Sequence, residues 1–349
     1  MIKTSVAIIC GGRSSEHEIS CLSAGGILAG IDKSRFNVVL IGITKSGNWV
    51  LLPRDYSLEI TDGVLPFVNE DATPLVADVH GFCVAGKPLV IDVVFPALHG
   101  PYGEDGTIQG FFEMAGIAYV GSGVAASAMA MDKSISKTIF SAQGMRVASA
   151  IVVTRIDWKS KVAPLKYPVF VKPARGGSSR GTHKVNSASE LEPALNDAFT
   201  FDRKVMIEAA IPGMEIECAV LESAGEVSAS VVGEIVIDSK FEFYDFQAKY
   251  LDDATTVIAP ANIPAAAAEE IRANAVQAFK SLGCSGLARV DFFYTNNGEI
   301  VINEINTMPG FTGTSVYPKL MATSGVDYSS LISALINTAL ARTNGVLGN

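Results

Sequence analysis

The chain has 349 residues, 48% hydrophobic and 18% charged, with a formal net charge of −9. This describes a packed globular protein of two or three domains rather than a disordered chain, and an acidic balance with no basic block argues against nucleic acid as a partner. No apolar run reaches the length of a membrane span, the apolar start at residues 5–10 is too short for a signal peptide, and five cysteines (Cys10, Cys21, Cys83, Cys218, Cys284) show no metal spacing, so a cytoplasmic protein with reduced thiols is expected.

A first strand is expected over residues 6–10, entering the turn Gly11-Gly12-Arg13. A helix follows from about Ser15, where Ser15 and Glu18 have the spacing of a capping box. Residues 36–43 predict a second strand and 89–95 a third, whose near-continuous apolar run suits the centre of a parallel sheet. This alternation makes a Rossmann-like half, and the missing G-x-G-x-x-G argues against a dinucleotide. A loop rich in glycine and charge, 98–107, follows the third strand, at the kind of strand end where such sheets place ligands. Gly121-Ser122-Gly123 then precedes one alanine-rich helix carrying Met131-Asp132-Lys133, and a first domain boundary falls there.

The middle part predicts strands at 167–172 and 182–185 around the loop Arg175-Gly176-Gly177-Ser178-Ser179-Arg180-Gly181. A helix over 188–199 and strands at 205–208, 215–221 and 227–237 come next. The aromatic and charged stretch 240–253 has no periodicity and reads as a long functional loop. A helix over 264–282, a hairpin over 289–306 and a last helix over 329–341 follow.

The hairpin carries the first chemical argument. Asn297-Gly298 between two β-branched and aromatic runs is a strong turn signal. A two-residue turn there pairs Asn296 with Glu299, Asp291 with Glu304 and Arg289 with Asn306, all on one face. Two acids directly opposite each other repel. A hard divalent cation between them, with the Asn306 amide oxygen as a third ligand, removes the conflict; a plain solvent-facing hairpin is the competing reading. A three-residue turn would slip the register.

Other groups are ambiguous alone. The 175–181 loop could cover nucleotide phosphates with its backbone N–H groups, although no Lys-Ser/Thr follows it as in a Walker loop, and a hairpin of no consequence is the alternative. Lys133, Lys172 and Lys249 each stand in charge-poor or glycine-rich settings, where surface lysines are also common. Glu208 and Glu215 could accept ribose hydroxyls or simply end solvated strands. Glu16 could support a helix dipole or catch a substrate ammonium. His99 is either a neutral donor to a substrate or a loop residue.

Seven stretches in order carry a family resemblance: Gly11-Gly12 with Ser15-Glu16; His99-Gly100 with Gly103-Glu104-Asp105-Gly106; Gly121-Ser122-Gly123 through Met131-Asp132-Lys133; Lys172-Pro173 with Gly177-Ser178-Ser179; Glu242-Phe243-Tyr244-Asp245 with Lys249-Tyr250; Arg289 with Asp291; and Asn303-Glu304-Ile305-Asn306-Thr307 with Pro309-Gly310. Over nearly its whole length the chain resembles D-alanine–D-alanine ligases of the ATP-grasp superfamily. The resemblance implies an α/β fold, α+β in its ATP-grasp part: a Rossmann-like N-terminal domain (1–122) and a two-part ATP-grasp fold (123–212 and 213–349). It implies that Asp291, Glu304 and Asn306 hold two Mg²⁺ ions (Mn²⁺ being an alternative), and that Lys133, Lys172, Ser179 and Lys249 contact ATP phosphates. By the same resemblance Glu208 and Glu215 lie near adenine and ribose. Arg289 and the Gly310 N–H would stabilise charge at the reacting centre. Glu16, Ser178 and Tyr250 would close the site, while His99, Ser315 and Val316 would contact substrate. The implied activity joins two D-alanines through an acyl phosphate for peptidoglycan precursors, in a homodimer.

Departures from the family pattern fall at Gly176, Arg180 and Thr314, where relatives commonly carry an acid, an apolar residue and a histidine. They leave the ATP and metal positions intact but bear on the second substrate. Tyr250 and apolar Val316 favour D-alanine, while a D-serine or D-lactate acceptor, a ligase for other amino acids, and an idle nucleotide-binding protein are the alternatives. A small hydroxyl is hard to exclude from an apolar pocket.

Overall fold

The computed structural model describes residues 3–162, 165–237 and 255–342. The chain begins with β1 (Thr4–Gly11), α1 (His17–Gly30), β2 (Phe36–Ile43), β3 (Trp49–Leu51) and β4 (Thr73–Pro74). A small hairpin sheet follows, β5 (Val76–Asp78), β6 (Gly81–Val84) and β7 (Lys87–Leu89), then β8 (Val93–Pro96), α2 (Thr107–Ala115) and β9 (Ala118–Tyr119). The larger sheet has the order β4-β3-β2-β1-β8-β9, with β2, β1, β8 and β9 parallel. Its middle strands are buried on both faces, as continuous runs such as Val6-Ala7-Ile8-Ile9 require.

Two expectations fail here. The run 89–95 is not one strand: Leu89 ends β7, Val90 is exposed, and Asp92 turns the chain onto β1 by accepting the Ser5 N–H at 2.7 Å. The Ser15/Glu18 capping box does not form, because Glu18 pairs with Lys45 and α1 starts at His17 without a side-chain cap.

The next elements are α3 (Val124–Met131), α4 (Lys133–Ala142), β10 (Ala150–Val153), α5 (Trp158–Lys161), β11 (Val169–Pro173), β12 (His183–Val185), α6 (Ala188–Phe201) and β13 (Val205–Ala209). The single helix expected around Met131-Asp132-Lys133 is two. Asp132 leaves helical backbone, and its carboxylate accepts the Ser134 and Ile135 N–H groups at 3.1 and 3.3 Å as the N-cap of α4. Lys204 binds the same carboxylate at 2.8 Å. An antiparallel sheet in the order β10-β13-β11-β12 packs on α6.

The last part holds β14 (Gly213–Ser223), β15 (Glu226–Ile237), β16 (Thr255–Ile258), α7 (Ala265–Ser281), β17 (Leu287–Thr295), β18 (Ile300–Asn306), α8 (Val316–Thr323) and α9 (Tyr328–Ala341). Its sheet is antiparallel in the order β16-β15-β14-β17-β18. Strand alternation gives β17 two faces. Ala288, Val290 and Phe292 pack on Ile271, Ala275, Ala278 and Phe279 of α7, each large side chain contributing roughly 1.5–3 kcal/mol of burial. Arg289, Asp291 and Phe293 are left on the other face. Apolar residues of α9, from Leu331 to Ala339, share a core with β1 and α1, so the end of the described chain seals the first sheet to the last.

Candidate active site

The hairpin register holds by a different route from the expected one. Thr295 N–H donates to Glu299 O at 2.9 Å, so the turn contains three residues, Asn296-Asn297-Gly298, and the strands near it pair one step away from a two-residue turn. Asn303 then bulges out of β18, and beyond it Asp291 again faces Glu304 and Arg289 faces Asn306. The bulge also brings Asn303 to the cleft side, where its amide oxygen accepts from both Lys137 and Lys172 at 3.4 Å.

A cleft of about 1270 Å³ lies over these strands, more room than the roughly 300–1,000 Å³ of a pocket for one small ligand. Each of the fifteen described candidates lines it: Glu16, His99, Lys133, Lys172, Ser178, Ser179, Glu208, Glu215, Arg289, Asp291, Glu304, Asn306, Gly310, Ser315 and Val316. Lys249, Tyr250 and the loop expected at 240–253 lie outside the described residues.

Arg289 binds both oxygens of Asp291, through Nε at 2.8 Å and a terminal nitrogen at 2.7 Å. Its Nε also lies 3.0 Å from the buried Glu217 carboxylate. Asn306 donates to Asp291 at 3.0 Å. Lys133 reaches Glu304 at 3.2 Å and the Gly176 carbonyl at 2.7 Å, tying the first turn of α4 to the acidic pair and to the glycine-serine loop.

A second knot of charge sits deeper. Glu208 is clamped between Lys137 and Lys172, the latter at 2.5 Å. Burial pushes the Glu208 carboxyl up, but the two ammonium groups outweigh it and hold it below the usual range. Burial and the charge of Lys172 bring Lys137 down to about 8, against the pull of Glu208. Burial also works against the charge of Lys172, yet Glu208 and Glu304 raise it. An adenine- or ribose-facing role for Glu208 must therefore coexist with two buried ion pairs.

The glycine-serine loop is drawn against the N-terminal domain. Ser178 and Ser179 take left-handed backbone, φ 49° and 57°; such residues cost about 1–3 kcal/mol each and persist only where their surroundings enforce it. Ser178 donates its hydroxyl to Glu16. Glu16 lies between two backbones that approach it as only glycine permits: a Cβ on Gly100 would stand 2.5 Å from its Oε2, and one on Gly177 would be closer still.

Four polar residues at or beside the cleft escaped the sequence argument. Lys137 is i+4 from Lys133 and so on the same face of α4, a spacing that could have revealed it. Glu217 shares a strand face with Glu215, but its place opposite Asp291 depends on a β14–β17 pairing that no local signal announces. Asn303 required the bulge. Glu104 lies inside a quoted motif without an assigned task; its carboxylate accepts the Gly100 N–H at 2.7 Å and the Met308 N–H at 3.3 Å.

Burial, then the neighbouring Glu16, raises Glu104 to about 8. The folded protein thus keeps a proton that the unfolded chain releases near 4.5. This contribution to stability is fully present below that pH and is lost as pH rises toward 8. In urea unfolding, Glu104→Gln should gain stability relative to the parent between pH 5.5 and pH 8. Parallel pH dependences in the two proteins would contradict the assignment.

Whether the site suits a metal turns on its donor set. Among the described residues no three His, Cys, Asp or Glu side chains form a metal cluster. Two opposed carboxylates and an amide give the sparse, all-oxygen set from which Mg²⁺ takes one or two protein ligands and completes its shell with water and phosphate. The residues fit Mg²⁺.

Two antiparallel sheets enclosing a lysine-lined cleft with paired acids define an ATP-grasp enzyme. Residues 5–122 match the D-ala D-ala ligase N-terminus family and residues 139–337 the D-ala D-ala ligase C-terminus family. The chain belongs to the D-alanine–D-alanine ligase family. It is 50% identical to a D-alanine–D-alanine ligase of Mycolicibacterium smegmatis, over 99% of this chain and 97% of the relative. Among solved structures, VanG D-Ala:D-Ser ligase from Enterococcus faecalis superposes with a TM-score of 0.86 at 39% identity, covering 97% of this chain and 100% of that one. The D-alanine–D-alanine ligase from Coxiella burnetii gives 0.81 at 32% identity, covering 97% and 94%.

Proposed function

We propose that the protein uses ATP to join two D-alanines into D-alanyl-D-alanine for peptidoglycan precursors. The observation that carries this is the placement of Asp291 opposite Glu304, with Arg289 bonded to Asp291, inside one cleft with the lysines and the glycine-serine loop. Relatives matched over nearly their full length at 50% identity support D-alanine as acceptor over D-serine, which VanG D-Ala:D-Ser ligase, at 39% identity, carries in its name.

The chain's own groups account for the chemistry. A carboxylate is a poor acylating agent, so the first D-alanine must become an acyl phosphate. Glu16 would bind its ammonium. Lys133, Lys172 and, by resemblance, Lys249 would neutralise the transferring phosphoryl group, where catalysis is mainly positioning and electrostatics. Ser179 belongs to the cover over the phosphates, and Glu208 and Glu215 to the nucleoside end. Asp291, Glu304 and Asn306 would hold two Mg²⁺ ions (or Mn²⁺), which when bound add positive charge at the phosphates. The second D-alanine attacks the acyl carbon through a neutral amine, and the oxyanion that forms would face Arg289 and the Gly310 N–H. Its collapse breaks the acyl C–O bond, expelling phosphate while the nitrogen loses a proton. His99, Ser315 and Val316 would shape the amino-acid subsites. Ser178, joined to Glu16, and Tyr250 would close the site against water, which would otherwise hydrolyse the acyl phosphate.

Three units, 1–122, 123–212 and 213–349, are part of this proposal, with the note that α3 and α4 pack into the core of the third. So are a homodimer and a cytoplasmic location. No helix among the described residues is long and apolar enough to cross a membrane.

Phosphate release with ATP and Mg²⁺ tests the proposal. D-alanine alone should support turnover, and D-serine or D-lactate added as acceptor should not redirect it. Release with L-alanine and none with D-alanine would refute the substrate class, and no release under any condition would indicate a nucleotide binder.

A further inference from the structure

Residues 308–311 carry Gly310, the proposed oxyanion donor, yet belong to no helix or strand. Their backbone groups must therefore find partners elsewhere. Met308 offers its carbonyl to His99 Nδ1 at 3.0 Å and its N–H to Glu104 at 3.3 Å. Phe311 donates its N–H to Ser23 Oγ at 3.3 Å and accepts at its carbonyl from the Tyr328 hydroxyl at 2.5 Å. Ser23 Oγ in turn lies 2.8 Å from His99 Nε2.

The proton positions follow from these partners. A carbonyl can only accept, so His99 Nδ1 carries hydrogen. Burial lowers the His99 pKa, which keeps the ring neutral and leaves Nε2 as an acceptor. The Ser23 hydroxyl must then donate to Nε2, leaving an oxygen lone pair for the Phe311 N–H. The result is a directed chain from Phe311 N–H through Ser23 and His99 to Met308 O, closing on both sides of Pro309-Gly310. Proline has no N–H. Among the described residues, the N–H of Gly310 is thus the one in this segment without a partner in the protein, and Gly310 lines the cleft. Helix α1 is packed hard against the same place: a Cβ on Gly26 would stand 3.0 Å from the Phe311 carbonyl oxygen.

We propose that Ser23 is a positioning residue for the ligation step, aiming the Gly310 N–H at the developing oxyanion by holding Phe311 N–H and His99 in one chain. This rests on the ligase function proposed above. A bland alternative is that Ser23 only satisfies buried polar groups. The two differ in where a loss would show, because a misaimed oxyanion donor weakens the tetrahedral state and not the nucleotide.

The test uses Ser23→Ala in the full chain. A misplacement of reacting groups by about 1 Å can cost on the order of a hundredfold, so kcat should fall by about tenfold to a hundredfold with KM for ATP unchanged. Affinity for a phosphinate analogue of the dipeptide, whose tetrahedral phosphorus mimics the intermediate, should fall by the same factor, with ADP affinity unaltered. If Ser23→Ala does not fold, Ser23→Cys puts a weak donor of similar volume in the same place and must show the same split. Unchanged kcat, or equal losses of phosphinate and ADP affinity, would overturn the role of Ser23. A parent enzyme that releases no phosphate with D-alanine would instead overturn the function it rests on.

Discussion

Glu304→Gln should abolish D-alanine-dependent phosphate release, by about a thousandfold or more given what single electrostatic groups contribute at such centres, while leaving the melting temperature of the metal-free protein almost unchanged. Both halves follow from the hairpin. Opposite Asp291, a charged Glu304 is a like-charge pair that the sheet tolerates at some cost. Removing that charge relieves the repulsion. Its partner Lys133 keeps the Gly176 carbonyl at 2.7 Å, and Lys172, whose charge Glu304 also supports, keeps Glu208 at 2.5 Å, so neither cation is stranded. The net change in apo stability should stay within about 1 kcal/mol. Calorimetry without Mg²⁺, alongside phosphate-release assays, reads both quantities. A drop of several kcal/mol in apo stability would mean that Glu304 is structural, and full activity would remove it from the metal site.

Arg289→Met should do the opposite in one respect: it should lose both activity and stability. Arg289 serves two carboxylates at once, Asp291 through two hydrogen bonds and Glu217 at 3.0 Å, and Glu217 is almost fully buried. Taking away the cation leaves two acids without it, a change that typically costs about 3–5 kcal/mol when a buried pair is broken. Turnover should fall by about a hundredfold to a thousandfold, the range for one oxyanion-stabilising donor. Adding Glu217→Gln to Arg289→Met should restore much of the stability and none of the turnover. Urea denaturation of the four proteins in that cycle separates the two effects. Recovery of activity in the double variant would show that Arg289 acts only through Glu217.

Much of this was legible because strands alternate and because acids rarely face each other without a reason. Counting along β17 and β18 put Asp291, Glu304 and Arg289 on one face. It assumed a two-residue turn, however, and the pairing holds because the Asn303 bulge offsets the three-residue turn that forms. What could not be read were choices made by distant partners. Glu18 left its capping box for Lys45, a partner that arrives only when the chain has folded, and the bond from Ser178 to Glu16 was implied by the family resemblance and by no local signal. The break at Asp132 carried a local sign, an acid just before Ser134 and Ile135, but the alanine-rich flanks hid it. Glu217 became visible only once β14 lay beside β17, whereas Lys137 carried a sign in its i+4 spacing from Lys133.

The bulge at Asn303 sits between two stretches of one pairing, 292–295 with 299–302 and 289–291 with 304–306. Losing the codon for Asn296 would shorten the turn to Asn297-Gly298 and leave Thr295 opposite Glu299, with both stretches unmoved. Losing the codon for Asn303 would close the bulge and leave Asp291 opposite Glu304 in a plain hairpin. That single deletion would be silent for the two acids, yet it would discard the amide shared by Lys137 and Lys172. Selection for the acidic pair alone therefore does not explain the bulge, and in a library of hairpin deletions it is the lysines that should report its loss.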